Sequence, residues 1–262
     1  MLSCLNRWYR LRARGSSGVS DNGDTRVNRL SKWLQGLTTD RVFRMARIWS
    51  NGELGRFAHL YNGSVANISG WRDQDKEGSV YKAYFRNCTE YYISNYSSSA
   101  CGFQGDLENE FYLDLEEVLP DRLYRRFDTV FNHTTLEHVF EVRRAVANLC
   151  AMCSDSLILI TPFLQQEHES YGDFWRFTPL ALCRLLKTEG VTPIYMSWND
   201  KPNCSIYVFT IASRKPECWS VIRNDPGNML EKAGEAFIGT QAICNSWAYK
   251  VRRWYEDRQT RK

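Results

Sequence analysis

The chain has 262 residues, 43% of them hydrophobic and 14% aromatic, which is enough apolar material for a sizeable core and excludes wholesale disorder. No stretch approaches the ~18 apolar residues of a membrane span, and the basic N-terminus lacks the apolar run of a secretory signal. The net charge of +4 hides an asymmetry, because residues 1–50 carry ten Arg and Lys against three Asp. Residues 212–262 carry ten against six acids, so basic ends flank an acidic body. Two readings of those ends stand: an anionic partner such as nucleic acid or a membrane surface, or solvated helices on the protein's own acidic surface. No dedicated nucleic-acid motif is present, so the first rests on charge alone.

Nine cysteines at irregular spacings do not form a paired metal-ligand pattern. Cys150 and Cys153 make an isolated Cys-x-x-Cys. Reduced cysteines packed as small apolar residues of a cytoplasmic protein are the expectation.

In chain order, residues 1–25 read as poorly structured. Val27, Leu30, Leu34 and Leu37, then Val42, Met45 and Trp49, recur at helical spacing and predict two short helices broken near Gly36 to Asp40. Strands are predicted at Ser64–Ser69, Tyr91–Tyr96, Phe111–Leu115, Phe127–His133, Ser156–Pro162, Ile194–Trp198 and Ser205–Ser213, the last two joined as a hairpin. Helices are predicted at Ser79–Cys88, Glu137–Met152 and Pro179–Glu189. The second would be opened by a Thr134/Glu137 capping box, and the third by Thr178 and closed by Gly190. Met229–Tyr249 carries the spacing of a further amphipathic helix, followed by a basic end.

The order β-α-β-β-β-α-β-α-β-β predicts an α/β fold whose site lies at the C-terminal strand ends. Three units are expected: a basic N-terminal extension with a helical cap (1–61), the α/β domain (62–213), and a linker with a basic amphipathic helix (214–262).

With that order, the segments FDTVFNHTTLEHV, SLILITPF and DFWRFTP resemble the class I S-adenosylmethionine-dependent methyltransferases, in particular a subgroup with LEHV and DxWRFTP segments. The resemblance spans roughly 62–213. It implies a mostly parallel, Rossmann-like methyltransferase sheet closed by an antiparallel last strand. It also implies S-adenosylmethionine as cofactor and a small-molecule or glycan-like acceptor.

Residue by residue, it implies cofactor contacts from Gly70, from Asp73 to an ammonium, from Asn95 to the ribose hydroxyls, and from Asp114 and Leu115 to the adenine. Of the usual Gly-x-Gly-x-Gly turn only Gly70 is present, and Asn95 stands where a carboxylate is usual. A catalytically degenerate binding module of the same fold is therefore a rival expectation. Asn132 and His133 end the fourth strand, where donor and acceptor would meet. An imidazole there suits a general base or simply lines the pocket.

Some relatives hold a divalent metal through Glu-x-x-Glu-His. Here Thr134 replaces the first Glu, leaving Glu137 and His138, so no metal is expected. The long aromatic loop Leu164–Phe177 offers Glu167, His168, Tyr171, Asp173, Trp175 and Arg176 as acceptor-pocket residues, with Trp175 stacking on flat rings and Arg176 reading an anion. The alternative is that Trp175 and Phe177 anchor the loop while Arg176 pairs with Asp173.

Overall fold

The computed structural model describes residues 40, 42–96, 102–168, 172–236 and 238–240, with 251, 254 and 258. Seven strands form one sheet in the order β3-β2-β1-β4-β5-β7-β6. They are β1 (Ser64–Ile68), β2 (Glu90–Asn95), β3 (Glu110–Tyr112), β4 (Phe127–His133), β5 (Cys153–Leu164), β6 (Thr192–Trp198) and β7 (Ile206–Ser213). All neighbours pair in parallel except β7, which runs antiparallel to both β5 and β6. The mostly parallel sheet with its reversed last strand is as the sequence predicts.

Period-two alternation sends successive side chains of each strand to opposite faces. Val130, Leu157 and Leu159 enter one apolar layer with helices α2 (Val142–Met152) and α3 (Pro179–Thr188). Phe131, Ile158 and Ile160 enter the other with α1 (Arg44–Phe57). From Asp40 onward the chain forms one compact unit that includes α1. Glu53 of α1 accepts from Tyr195 Oη and Ser197 Oγ of β6, each at 2.6 Å, which fixes the helix to the sheet.

The signals around α3 are borne out. Thr178 Oγ1 accepts from Ala181 N at 3.1 Å, and Pro179 follows at the first position. Gly190 has φ +69, and the Gly190 and Val191 amides return to the Lys187 and Leu186 carbonyls, each at 3.1 Å, closing the helix with a left-handed cap.

Two expected helices differ. Glu137–Met152 splits into a 3-10 turn (Leu136–His138) and α2, because the Glu137 carbonyl is taken by Phe174 N (2.7 Å) and Trp175 N (3.3 Å). It cannot also serve the Glu141 amide, which turns to Glu116 Oε1 at 3.1 Å. No capping box forms: Thr134 adopts φ +48, and Glu137 is buried. In place of a helix over Ser79–Cys88 there is a 3-10 turn at Tyr81–Ala83. Asp73 and Asp75 capture the amides around it, Lys82 N at 2.8 Å and Ser79 N at 2.9 Å.

Cys150 and Cys153 are buried and unbridged, and burial pushes the Cys153 thiol up to about 11. Among the described residues no helix is long and apolar enough to cross a membrane. Of the two short helices predicted before Ser50, the second is α1, whereas the first (Val27–Leu37), like most of Met229–Tyr249, lies outside the described residues.

Candidate functional site

β1 leads outward through β2 to β3, whereas β4 leads through β5 to the other edge. Strand order therefore reverses between β1 and β4, and a crevice at their C-terminal ends is where such sheets bind ligands. The turn after β1 is tightly wound, with Ser69, Trp71 and Asp73 at φ values of 59, 46 and 61. Gly70 is required there by proximity: a Cβ would lie 2.5 Å from Asn67 Nδ2.

Asn67 Nδ2 donates to Asp73 Oδ1 at 2.7 Å, and the same oxygen accepts from Tyr91 Oη at 2.6 Å. The other oxygen of Asp73 takes the Lys82 amide. Burial raises the Asp73 pKa, and the hydrogen bonds from Tyr91, Lys82 and Asn67 oppose that rise. Asp73 is thus the buried hub of its own loop.

At the end of β2, Asn95 Oδ1 accepts from Trp71 N (2.6 Å), while Nδ2 donates to Trp71 O (3.1 Å) and to Glu110 Oε1 (2.6 Å). Glu110 had no signal in the sequence beyond its charge. Just past β3, Asp114 Oδ1 accepts from Glu116 N at 2.8 Å, while among the described residues its other oxygen takes no hydrogen bond. Leu115 is buried and its carbonyl accepts from Asn148 Nδ2 at 2.9 Å.

At the end of β4, Asn132 is fully buried. Its Nδ2 donates to Ile68 O at 2.9 Å, and among the described residues its Oδ1 has no hydrogen-bond partner. His133 is covered by α1. Ser50 Oγ lies 2.9 Å from Nε2 and donates in turn to Arg47 O, so Nε2 carries the proton. Nδ1 then accepts from Thr134 Oγ1 at 3.0 Å, with Arg47 Nη1 at 3.4 Å, and Arg47 also donates to Thr134 Oγ1 and Tyr81 Oη. Burial first, then the Arg47 and Lys76 charges, hold the His133 pKa well below the usual 6.5, so the ring is neutral.

The aromatic loop folds back over the Leu136–His138 turn through the two amides on the Glu137 carbonyl. Its Arg176 forks onto Asp173 at 2.5 and 2.7 Å and spends its remaining donors on the Gln165, Gln166 and Trp175 carbonyls. That pairing holds the Asp173 carboxyl down at about 2. Trp175 Nε1 donates to Phe140 O at 3.2 Å and the indole is 38% exposed, so its face remains open. His168 lies against His138, ring centroids 5.0 Å apart. Tyr171 lies outside the described residues. Burial pushes the Glu137 carboxyl, whose oxygens have no hydrogen-bond partner among the described residues, up to about 8.

A cleft of about 330 Å³ opens beside this loop, lined by Val42, Leu164, Gln165, Gln166, Asn203, Cys204 and Ser205. A second, of about 390 Å³, lies between Glu117–Asp121 and Arg144–Ala151. Neither is lined by Gly70, Asp73, Asn95 or Asp114.

No family profile and no curated protein matches the sequence. Among solved structures, the chain is similar to the 1,6-didemethyltoxoflavin N1-methyltransferase of Burkholderia thailandensis, solved with that substrate and S-adenosylhomocysteine (14% identity, 72% of this chain and 86% of that one, TM-score 0.43). It is also similar to magnesium protoporphyrin IX methyltransferase from Synechocystis PCC 6803 (11%, 71% and 94%, TM-score 0.45). An S-adenosylmethionine-dependent methyltransferase of Aquifex aeolicus gives 11%, 63% and 88%, with a TM-score of 0.42. Identities this low carry no activity across.

Proposed function

We propose that this chain is an S-adenosylmethionine-dependent methyltransferase acting on a small-molecule or glycan-like acceptor. The observation that carries the reading is the sheet order with β7 alone reversed, which gathers Gly70, Asn95, Asp114 and Asn132 at the C-terminal ends of β1, β2, β3 and β4.

The residues fit the cofactor in part. The uncommitted oxygen of Asp114 suits an exocyclic amine, and the unpartnered Oδ1 of buried Asn132 suits an ammonium or hydroxyl donor. Asp73 and Asn95 are spent inside the protein, so in this reading they hold the turn, and cofactor entry needs the Trp71–Asn95 pairing to open. When bound, the sulfonium supplies an electrophilic methyl group for an oxygen or nitrogen acceptor. This chain's part is alignment of the two reactants. His133, neutral and with Nδ1 already accepting from Thr134, sets Arg47 and Ser50 at the strand end. A general-base role would require it to release Thr134 first. Trp175, with its open face, and the cleft beside its loop are the proposed acceptor side.

The same Trp71–Asn95 pairing favours a second reading, a binding module of this fold that no longer takes cofactor. Thermal unfolding with S-adenosylhomocysteine, against NAD as control, separates the two. A ligand at about 100 times its dissociation constant adds roughly 2.7 kcal/mol, a midpoint rise of about 5–10 °C for a chain this long. A selective rise supports the enzyme. No rise at millimolar ligand leaves the binding module.

A further inference from the structure

The turn after β4 and the loop after β5 bring one carboxylate and two imidazoles together. Donor atoms of Glu137, His138 and His168 all lie within 4.8 Å of one another. The carboxyl of Glu137 is fully buried and among the described residues neither oxygen is hydrogen-bonded, an arrangement that proteins avoid unless something else satisfies the group. His138 Nε2 is 3.8 Å from Oε1, too far for a hydrogen bond but suited to an atom between them.

The surroundings orient the first ring and hold the backbone of the second. His138 Nδ1 lies 2.6 Å from the Gly172 carbonyl, which can only accept, so Nδ1 carries the proton and the lone pair sits on Nε2, the nitrogen facing Glu137. His168 is held differently: its backbone amide donates to Asp173 Oδ2 at 2.9 Å, while its Nδ1, 3.1 Å from the same oxygen, makes no hydrogen bond among the described residues, so no protein partner ties up that ring nitrogen. A carbonyl behind a histidine, as Gly172 stands behind His138, is what orients a metal-binding imidazole. The Phe174 and Trp175 amides on the Glu137 carbonyl fasten the two segments together, so the group is built into the backbone.

We propose that Glu137, His138 and His168 bind one divalent first-row transition-metal ion. Two imidazoles and one carboxylate suit zinc, iron(II) or manganese, and three protein ligands leave coordination positions open for an exogenous oxygen. Ligand atoms on a shared ion at ~2.1 Å stand about 3–3.5 Å apart, so loading draws the three side chains inward. Thr134, where the sequence pattern looks for a third ligand, is turned to Arg47 and His133. The fold supplies that ligand from His168 instead. This inference stands apart from the methyl-transfer reading, since it uses no residue assigned to the cofactor.

The test is a titration of the full-length, chelator-stripped protein with Co²⁺, without any S-adenosyl compound, followed by competition with Zn²⁺. We expect one equivalent to bind with visible d–d absorption and no thiolate-to-cobalt charge-transfer band, which separates this site from the cysteines. Glu137→Gln and His168→Ala, which each remove a ligand, should weaken binding by more than about 100-fold, and Asp173→Asn, which loosens only the oxygen that accepts the His168 amide, by less. Far-ultraviolet dichroism of the metal-free variants checks that they fold. His168→Ala, on a partly exposed loop, keeps the test decisive if Glu137→Gln does not fold. Absence of binding, a thiolate band, or undiminished binding in a folded variant would overturn the proposal.

Discussion

Asn95 holds Trp71 by both of its backbone polar groups, accepting from N–H at 2.6 Å and donating to C=O at 3.1 Å. A side-chain amide thus mimics a strand partner at the point where β2 ends, and its second N–H is pinned by Glu110. An amide can do this because it both donates and accepts; a carboxylate only accepts.

Asn95→Asp is therefore expected to destabilise the protein by about 2–3 kcal/mol in urea denaturation. The new carboxylate would face the Trp71 carbonyl and the Glu110 carboxylate together. The loss should ease as the pH falls and one of the two acids takes a proton. A variant as stable as wild type at pH 8 would refute the pairing.

Gly70→Ala should cost about 1–3 kcal/mol without any ligand present, because the added methyl drives Asn67 away from Asp73. In an Asn67→Ala background the obstructing group is gone, so the same substitution should cost much less. Equal costs in the two backgrounds would mean that Gly70 is needed for some other reason.

His133 gives a pH signature with a defined sign. Its folded pKa lies well below the 6.5 of the unfolded chain, so the unfolded state binds a proton that the folded state refuses. The stabilisation is present above about pH 6.5 and is lost below it, at up to about 1.4 kcal/mol per pH unit. Glu137 runs the other way: its carboxyl, raised from 4.5 to about 8, contributes at low pH and loses that contribution as the pH rises through 8. The informative quantity is hence the difference between wild type and His133→Gln. That difference should turn against wild type below pH 6.5, and a flat difference would show that His133 titrates normally.

Arg47→Met should raise the His133 pKa, read from the imidazole proton resonances, by removing a cation 3.4 Å from Nδ1. Burial, the larger cause, is untouched, so the value should stay below 6.5. An unchanged titration would mean that burial alone sets it.

The strands were legible because buried parallel strands read as apolar runs: SLILITP could hardly be anything else. The α3 boundaries were legible because Thr178, Pro179 and Gly190 act locally. What misled were positions whose partners come from far along the chain. Glu137 loses its place in a helix to two amides of the aromatic loop, and Asp73 is claimed by Tyr91 of the next strand. The resemblance to metal-binding relatives brought Glu137 and His138 to notice but offered no reason to join His168 to them, since that depends on how the loop after β5 folds back. Nor did it place α1 over His133, a contact made by Arg47 and Ser50 far upstream.

The position of β7 between β5 and β6 also bears on synthesis. As the chain leaves the ribosome, β1 through β5 can assemble in parallel, but β5 must wait for Ile206–Ser213 before its outer edge is paired. Until then an apolar strand presents free backbone donors and acceptors, a template for any neighbouring nascent chain. Chaperone dependence should accordingly be greatest for chains stalled between Leu164 and Ile206, and should fall once the reversed strand has docked.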